Sequence, residues 1–237
     1  MPYATEAEMG RDLTGRTIVV MGGSGNLGRA VVERLRSDGA TVVAADAHHP
    51  EPAARPAGVE HVEVDALDEA SVAGALAAIS PAPWAVVNLI GGYTPPQPVS
   101  ELDVAVLRRQ LELNLVTAAI LTKHALPLLA ARGGGRIVHT SSRVAVQPGP
   151  NGFSYSVSKL AVLRLVEAAA AEGRDAGVTV NCIMPSIIDT PPNRAAMPDS
   201  DHDRWPKPAE LAAVLSFLVS DDAGLVSGAA IPVYGRA

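Results

Sequence analysis

The chain has 237 residues and a formal net charge of −6; hydrophobic residues make up 48% of it and charged residues 19%. A chain of this size and apolar content can bury a substantial core, which excludes global disorder and favours one large domain over two small ones. Aromatic residues reach only 3% and no run of Lys and Arg is present, so a nucleic-acid partner is excluded as well.

The N-terminal residues and the single cysteine bear on the cellular setting. Residues 1–14 are polar and predict a flexible extension without the apolar segment of a signal peptide. No stretch approaches the roughly 20 apolar residues that span a membrane. Cys182 lies in an apolar strand-like run, which favours a buried core residue over a reactive thiol. Together these features predict a cytoplasmic protein that acts without a membrane.

Apolar strand-like runs alternate with helical patterns along the chain. Strands are predicted at 17–21, 41–45, 61–64, 84–90, 136–140, 178–184 and 229–233. Helices are predicted at 26–37, 71–79, 104–131 with an interruption, 154–173 and 208–218. Pro127 predicts a kink or a boundary within the third of these helices. The alternation indicates an α/β domain with a doubly wound, parallel, seven-stranded sheet and helices on both faces.

A glycine-rich turn follows the first predicted strand. Gly23, Gly25 and Gly28 fit the pattern G-x-G-x-x-G between a strand and a helix. Such glycines let the backbone approach a pyrophosphate, and the N-terminus of the helix offers it free N–H groups. A plain structural turn can also be rich in glycine, so the motif on its own is a weak indication of a dinucleotide site.

An acidic residue at the end of the second predicted strand strengthens this interpretation. Asp46 lies 18 residues after Gly28, where a carboxylate can bind the 2′-hydroxyl of an adenosine ribose. The same carboxylate repels a 2′-phosphate, so the sequence favours NAD over NADP. A solvated strand end is the alternative, and the nearby His48, His49 and Arg55 could soften the discrimination.

Tyr155 and Lys159 are the candidate catalytic pair. They lie four residues apart at the start of a predicted helix, so their side chains share one face. A tyrosine phenol has a pKa of about 10, and we expect the lysine ammonium to lower that pKa by stabilising the phenolate. Such a tyrosine can exchange a proton with a hydroxyl or carbonyl while a nicotinamide exchanges a hydride. The spacing also arises by chance on surfaces, but its position after the fifth strand favours a catalytic role.

Further motifs follow in the order in which short-chain dehydrogenases/reductases carry them, and the chain resembles that family from about Gly15 to Gly235. The resemblance rests on Gly22, Asn26 and Gly28 in the glycine turn, Asp65 after the third strand, Asn88 to Gly92 after the fourth, Asn114, Ser142 thirteen residues before Tyr155, Pro185 to Thr190, and Ser227 to Gly235. It implies a single-domain Rossmann fold over residues 15–237 with a substrate lid at about 190–207. It also implies an oxidoreductase that transfers a hydride between a nicotinamide and a carbonyl compound or secondary alcohol.

The resemblance further implies a role for each site residue. Tyr155 is the general acid/base, and Ser142 hydrogen-bonds the substrate oxygen. Lys159 binds the nicotinamide ribose, and Asn114 holds a water molecule that relays protons; a helix-interior asparagine satisfied by a neighbouring carbonyl is the alternative. The implied cofactor-binding residues are Gly22, Ser24, Gly25, Asn26, Leu27, Gly28, Asp46, Asp65, Ala66, Asn88, Gly91, Tyr155, Lys159, Pro185, Ile188 and Thr190.

Three residues depart from the family pattern, and none of them is a catalytic group. Met21 replaces a threonine, Asn26 the middle glycine of the turn, and Ser186 the glycine that follows a proline. Asn26 is tolerable because asparagine adopts positive φ more readily than most residues. Alternatively, the glycine register is that of Gly22, Gly25 and Gly28.

The lid is short, so a small or flat substrate is expected. The implied substrate contacts are Gly92, Ser142, Val144, Tyr155 and Trp205. Trp205 either caps the pocket or anchors the lid, and Arg194 either binds a substrate anion or is solvated. The expected substrate is a secondary alcohol or ketone. The alternatives are a flat heterocycle, as in dihydropteridine reductase, and a catalytically silent scaffold that senses nicotinamide.

Metal ligands and assembly complete the expectations. No cluster of His, Cys and carboxylate residues has the spacing of a zinc site, so no metal is expected. The resemblance implies a homo-oligomer, either a tetramer or a dimer, built through the helices that contain Asn114 and Tyr155.

Overall fold

The apolar runs form the strands of one parallel sheet in the computed structural model, which describes residues 11–237. The seven strands are β1 Thr17–Met21, β2 Thr41–Asp46, β3 Glu60–Glu63, β4 Ala85–Asn88, β5 Gly135–Thr140, β6 Val178–Pro185 and β7 Ala230–Val233. Their order across the sheet is β3-β2-β1-β4-β5-β6-β7. The strand order reverses between β1 and β4, so the ligand crevice of such a sheet lies at the carboxyl ends of these two strands. The predicted doubly wound parallel sheet is confirmed.

Helices cover both faces of this sheet. Those of the described residues are α1 Asn26–Ser37, α2 Glu69–Ala78, α3 Val104–Leu111, α4 Thr117–Ala131, α5 Phe153–Gly173, α6 Pro191–Ala196 and α7 Pro208–Val219. On one face, Leu35 of α1 and Leu215 of α7 share a buried cluster. On the other, Leu76 of α2, Leu121 of α4 and Val166 of α5 share a second cluster. Because both faces are covered, the central strands are apolar throughout rather than alternating.

The long predicted helix at 104–131 is interrupted, but not at Pro127. A π-helical turn, Glu112–Val116, separates α3 from α4, and it carries the buried Asn114. Pro127 lies within α4 and the helix continues through it. The residue is exposed, so water can satisfy the carbonyl that the missing proline N–H leaves without a donor. The predicted boundary at Pro127 is therefore not observed, and the predicted interruption of the run is the π turn before α4; a kink at Pro127 stays a prediction.

The same helical run qualifies the expectation that no segment could span a membrane. Val104–Ala131 is 28 residues long and contains an 18-residue window with a mean hydropathy of 1.4, which by length and composition suffices to cross a membrane. Core helices of globular domains pass the same test. Here Leu121, Ala125 and Leu129 are buried against the sheet in the core cluster beneath α4, so the apolar residues of this run are explained by packing within the domain.

The domain begins before the predicted boundary at residue 15. Leu13 is buried, and its N–H donates to the carbonyl of Asp38 at 2.7 Å. The backbone N–H of Arg11 donates to the Asp38 carboxylate at 3.3 Å. An apolar side chain that reaches the core draws the preceding backbone onto the domain. Residues 11–14 thus belong to the domain, whereas residues 1–10 of the predicted extension lie outside the described residues.

Candidate active site

The turn between β1 and α1 is shaped by close contacts that only glycine allows. Gly22 has φ +83°, in the left-handed region. A Cβ atom on Gly28 would lie 2.1 Å from the carbonyl oxygen of Gly22, and one on Gly23 would lie 2.8 Å from the Cβ of Ala44. The backbone of the turn therefore packs directly against the first turn of α1, which leaves room for a pyrophosphate above the free N–H groups of that helix. The residues present fit a dinucleotide.

Because Gly22 and Gly28 pack directly against each other, both glycines are essential to the motif. Asn26 is the first residue of α1 and adopts the helical conformation. Asparagine therefore fits this position without a positive φ, whereas the reason given from the sequence was its readiness to adopt one. Gly25 is the N-cap of α1 with extended backbone, φ −70° and ψ 173°, a conformation open to other residues. Leu27 lies in the first turn of the same helix.

Asp46 faces the glycine turn from the end of β2. Its Oδ2 accepts hydrogen bonds from the backbone N–H of Ser24 at 3.0 Å and from the Ser24 hydroxyl at 2.9 Å. Burial raises the pKa of this carboxyl, while the bonds from Ser24 and the nearby His49 and His61 act in the opposite direction. Asp46 thus braces the turn in addition to presenting a carboxylate beside it.

Two further predicted cofactor residues lie at or just after the carboxyl ends of β3 and β4. Asp65 follows β3, and its Oδ1 accepts the backbone N–H of Leu67 at 2.9 Å, with Ala66 between them. Asn88, the last residue of β4, is buried; its Nδ2 lies 3.2 Å from Nδ1 of His139. Its Oδ1 accepts the N–H of Ile90 at 3.1 Å. The Asn88 side chain therefore organises the loop after β4 from inside the sheet.

Asn114 holds the next part of that loop. Its Oδ1 accepts the N–H of Gly92 at 3.0 Å, and its Nδ2 donates to the Gly92 carbonyl at 3.0 Å. The same Nδ2 contacts Oε1 of Gln110 at 3.2 Å and Oγ of Ser158 at 3.1 Å. A Cβ atom on Gly91 would lie 2.6 Å from Asn114 Oδ1. The side chain thus positions the loop, and the water-holding role implied for Asn114 stays a prediction.

Tyr155 and Ser142 meet where α5 begins and β5 has ended. Ser142 is buried, and its hydrogen bond with Tyr155 lowers the pKa of the phenol, but burial has the larger effect and raises it. The pKa of Tyr155 therefore lies above its ordinary value and not below it, as the sequence suggested. Nζ of Lys159 lies 6.0 Å from the centroid of the Tyr155 ring and donates to the carbonyl of Thr140 at 3.0 Å.

Lys159 is itself perturbed. Only 4% of it is exposed, and burial lowers the pKa of its ammonium from 10.5 to about 8. Burial likewise raises the pKa of the Cys182 thiol to about 12, so Cys182 is an inert core residue. With this lowered pKa, Lys159 releases its proton more readily than an ordinary lysine, which suits a group that transfers protons.

A cavity of about 200 Å³ opens in front of Tyr155. It is lined by Tyr93, Thr94, Pro95, Pro96, Gln97, Val144, Gly149, Pro150, Asn151, Gly152, Ser154 and Tyr155. The rings of Tyr93 and Tyr155 meet edge to face with centroids 5.3 Å apart. Of the predicted substrate contacts, Val144 lies in this wall with Tyr155, Ser142 lies beside Tyr155, and Gly92 is fixed by Asn114 next to Tyr93. The wall formed by residues 149–152 was missed, although its Gly-Pro-Asn-Gly run directly before α5 marks a turn beside the tyrosine.

Trp205 differs from its predicted role as a substrate contact. It is buried and packs against His202 with ring centroids 4.6 Å apart. It does not belong to the cavity that the described residues form around Tyr155. Because its side chain is buried within the lid segment, the structure favours the alternative given above, in which Trp205 anchors the lid.

The lid begins after β6. Ser186 donates its hydroxyl to the carbonyl of Tyr234 at 2.7 Å, which accounts for a serine where the family has glycine. Ile188 and Thr190 lie at the start of α6, and their carbonyls accept hydrogen bonds from Asn193 and Arg194. Arg194 is also bound to the carboxylate of Asp189 at 2.5 and 2.8 Å. Its charge is therefore engaged within the lid rather than free for a substrate anion. Within residues 11–237, no group of three or more His, Cys, Asp or Glu could hold a metal ion.

A glycine turn that receives a dinucleotide beside a tyrosine able to exchange protons is typical of nicotinamide-dependent oxidoreductases. Comparison with known proteins agrees: the family model for short chain dehydrogenases matches residues 16–201. The chain belongs to this family and is a dehydrogenase/reductase that acts on alcohol or carbonyl substrates with NAD(P). The family and activity predicted from the motifs are confirmed.

Three known proteins illustrate what this chain is similar to. Cis-4-hydroxycyclohexanecarboxylate dehydrogenase of Sinomonas cyclohexanicum is 35% identical, over 96% of this chain and 98% of that protein. A 2,5-dichloro-2,5-cyclohexadiene-1,4-diol dehydrogenase of Sphingobium indicum is 30% identical, over 94% and 97%. Among solved structures, a putative NAD(P) dependent gluconate 5-dehydrogenase from Beutenbergia cavernae with bound NADP has a TM-score of 0.83 at 30% identity, covering 94% of this chain and 97% of that one.

Proposed function

We propose that this enzyme interconverts a secondary alcohol and a ketone carried on a small ring, with Tyr155 as the general acid/base and NAD as the preferred cofactor. The observation that carries the proposal is the Ser142–Tyr155 pair, which lies at the mouth of a cavity of about 200 Å³. Such a volume suits a single ring better than a steroid. The names of two relatives, a hydroxycyclohexanecarboxylate and a cyclohexadienediol dehydrogenase, support the ring.

The proposed chemistry divides between the protein and its cofactor. When bound, the nicotinamide supplies or accepts the hydride. In the reducing direction, Ser142 donates a hydrogen bond to the substrate oxygen and Tyr155 transfers its phenolic proton to the same atom. Lys159, beneath Gly91, holds the cofactor ribose and returns a proton toward the tyrosine. Asn114 keeps Gly92 in place, so that the loop after β4 supports the reacting atoms.

The first test is a panel of cyclic ketones and alcohols assayed by NADH consumption or formation. Turnover of a monocyclic ketone, and slower turnover of a steroid ketone, is the expected result because the cavity is small. Turnover confined to a pterin-like heterocycle would favour the alternative substrate class, and binding of NADH without turnover of any member would favour the silent scaffold.

The pH dependence follows from the direction of the Tyr155 shift. Because burial raises the pKa of Tyr155, the phenol predominates at neutral pH, and the phenol is the form that reduces a carbonyl. We expect kcat/KM for alcohol oxidation to rise about tenfold per pH unit below this pKa, since oxidation requires the phenolate. Reduction should stay level over the same range, because the phenol remains protonated below its raised pKa. Rates measured in both directions from about pH 6 to about pH 10 check this; a level oxidation profile would contradict it.

The cofactor preference is proposed from Asp46. The side chain of Asp46 is only 12% exposed. A carboxylate buried to this extent repels a 2′-phosphate more strongly than a solvated one. The NADP bound to the gluconate 5-dehydrogenase neighbour makes the cofactor choice of this chain a matter for measurement. We expect wild type to bind NADH more tightly than NADPH.

Asp46→Asn tests this assignment. It removes the charge but keeps an acceptor for Ser24, so we expect the ratio of the NADPH and NADH dissociation constants to move about tenfold toward NADPH. Protein fluorescence measures both constants. Asp65→Asn, at the next strand end, serves as the control and should leave the ratio unchanged. Tighter NADPH binding by wild type at neutral pH would contradict the proposal.

The remaining proposals concern the cellular location and the oligomeric state of the enzyme. We propose a cytoplasmic homo-oligomer, a tetramer or a dimer, that acts without nucleic acid or membrane. A partly apolar groove between α4 and α5 supports the assembly, because Leu126 and Leu165 are only half-buried there and Pro127 and Ala168 are exposed. Light scattering on the purified chain measures its mass in solution.

A further inference from the structure

Two histidines flank Asp46 at the proposed adenosine end of the site. His49, in the loop after β2, places its Nδ1 3.4 Å from the Ser24 hydroxyl and 3.8 Å from Oδ2 of Asp46. His61, on β3, places its own Nδ1 3.2 Å from that of His49. The two rings meet edge on, with an interplanar angle of 86° and centroids 5.0 Å apart. Neither the glycine motif nor the catalytic residues account for this pair.

The hydrogen-bond partners fix how protons are arranged between the rings. Nε2 of His49 lies 2.8 Å from the carbonyl oxygen of Val62, which can only accept, so Nε2 carries a hydrogen. The neutral His49 ring then has a bare Nδ1, and His61 Nδ1–H donates to it. His61 Nε2 is left bare as well; it is buried and finds no hydrogen-bond partner within residues 11–237. The contact between the two Nδ1 atoms holds one hydrogen, so the pair accepts one further proton as a unit.

We propose that His49 and His61 together set how strongly Asp46 rejects a 2′-phosphate, so that the preference for NADH over NADPH weakens as the solution becomes more acidic. The inference rests on the proposed contact of Asp46 with the adenosine ribose. With the pair neutral, the Asp46 charge opposes a phosphate. With one proton added, a cation faces that carboxylate, with Nδ1 of His49 3.8 Å from Oδ2 of Asp46, and offsets its charge. NADPH then meets a nearly neutral site.

The cavity beside the pair would receive such a phosphate. It has a volume of about 320 Å³ and is lined by His61, Ser24, Arg29 and Arg36, with Glu33 also in the wall. Arg29 is oriented by a hydrogen bond from its Nε to the Ser24 carbonyl at 3.0 Å. Hydroxyl, guanidinium and imidazolium groups are the donors that phosphate binds. Protonation of His61 would turn its bare Nε2 into one more donor beside this wall.

Burial and charged neighbours act on the pKa of His61. Burial lowers this pKa, and so do His49 and Arg55, whereas Asp46 raises it. His61 therefore takes up a proton below its ordinary pKa, and a 2′-phosphate beside it would favour uptake. The remaining ionisable residues on the surrounding elements are Arg29, Glu33, Arg34 and Arg36 on α1, His48 and Glu51 in the loop after β2, and Glu60 and Glu63 on β3.

Dissociation constants of NADH and NADPH at about pH 5.5 and about pH 8 test the proposal, because the histidine charge changes between them. For wild type we expect the preference for NADH to fall about tenfold or more on acidification. Part of that fall belongs to the ligand, since a phosphate monoester loses charge near pH 6. The double variant His49→Asn/His61→Asn isolates the protein share: it keeps N–H donors but removes both rings that can take up the proton, so the fall should shrink about threefold or more. An unchanged fall in the variant overturns the proposal.

Two further measurements keep the outcomes separate. If the double variant does not fold, calorimetry of wild type in buffers of different ionisation enthalpy replaces it. At about pH 7.5 the free 2′-phosphate is already ionised, so NADPH binding should take up more protons than NADH binding, and equal uptake for both cofactors overturns the inference. Asp46→Asn separates the proposed role of Asp46 from that of the histidine pair. If it leaves the cofactor ratio unchanged at about pH 8, the proposed role of Asp46 fails; if it shifts the ratio while the double histidine variant leaves the pH effect intact, only the present inference fails.

Discussion

Replacement of Tyr155 by phenylalanine lowers kcat about 10²- to 10⁴-fold and leaves cofactor affinity within about threefold. The phenol is the proposed group that exchanges a proton with the substrate oxygen, and phenylalanine keeps the ring that packs against Tyr93. The hydrogen bond with Ser142 is lost as well, but Ser142 stays able to donate to the substrate. Steady-state rates with a cyclic ketone, together with NADH binding by fluorescence, check both parts.

Tyr93→Phe is the matched control for this result. Tyr93 lines the same cavity and is largely exposed, and its ring meets that of Tyr155 edge to face. Removing its hydroxyl takes away no group that we place in proton transfer, so kcat should stay within about threefold and KM can shift with the substrate. If both variants lost turnover equally, Tyr155 would not be the acid/base, and the cavity as a whole would be the property that matters.

Replacement of Lys159 by methionine makes the protein more stable and less active. Because burial lowers the pKa of Lys159 from 10.5 to about 8, the charged form costs free energy in the folded state. That difference corresponds to about 3 kcal/mol. Methionine fills a similar volume without charge, so the free energy of unfolding at neutral pH should rise by about 1 to 3 kcal/mol after the bond to Thr140 is lost. Turnover should fall about 100-fold or more, because the proposed cofactor-ribose donor is gone.

The sign of this effect can be checked through pH. Below about 8 the lysine is protonated in both the folded and the unfolded chain; between about 8 and 10.5 only the unfolded chain holds the proton. Wild type should therefore gain stability as pH rises through that window, and its deficit relative to Lys159→Met should shrink. Urea unfolding at neutral and alkaline pH measures this. Lys123→Met on α4, where the exposed lysine pairs with Glu69, should change stability by less than about 0.5 kcal/mol. A destabilised Lys159→Met at neutral pH would contradict the argument.

The sheet was predictable because the sequence patterns that indicate its strands are local. Seven apolar runs, each followed by a turn or a helical pattern, are recognisable without tertiary contacts, and all seven strands were placed within a few residues. The short helix α6 was assigned to a lid loop, since Pro191 and Pro192 begin a helix as readily as they end one. The π turn was also missed. Its extra residue is stabilised by the buried contacts of Asn114, which a local pattern does not show.

The site was predictable by residue type but not by electrostatics. Tyr155, Lys159 and Ser142 were identified from spacing and family motif, and the structure places them around the carboxyl end of β5. The direction of the Tyr155 pKa shift came out opposite because its burial depends on the loop at 93–97, which is distant in sequence, as well as on the adjacent turn Gly149–Gly152. The His49–His61 contact likewise joins a loop to a strand, so no spacing rule could predict it.

The π turn between α3 and α4 also changes the phase of the helix that contains it. One extra residue in a turn rotates everything beyond it by about 100° relative to a regular helix. The stretch before the turn therefore presents one stripe, packed on α5, and the stretch after it presents another, packed on α2, α5 and β5. The continuous helical run from α3 to α4 thus packs against two different sets of elements. Deleting Glu112 would restore one unbroken stripe and point Leu121 and Ala125 away from the sheet, so the core should tolerate substitutions in this turn far better than a change in its length.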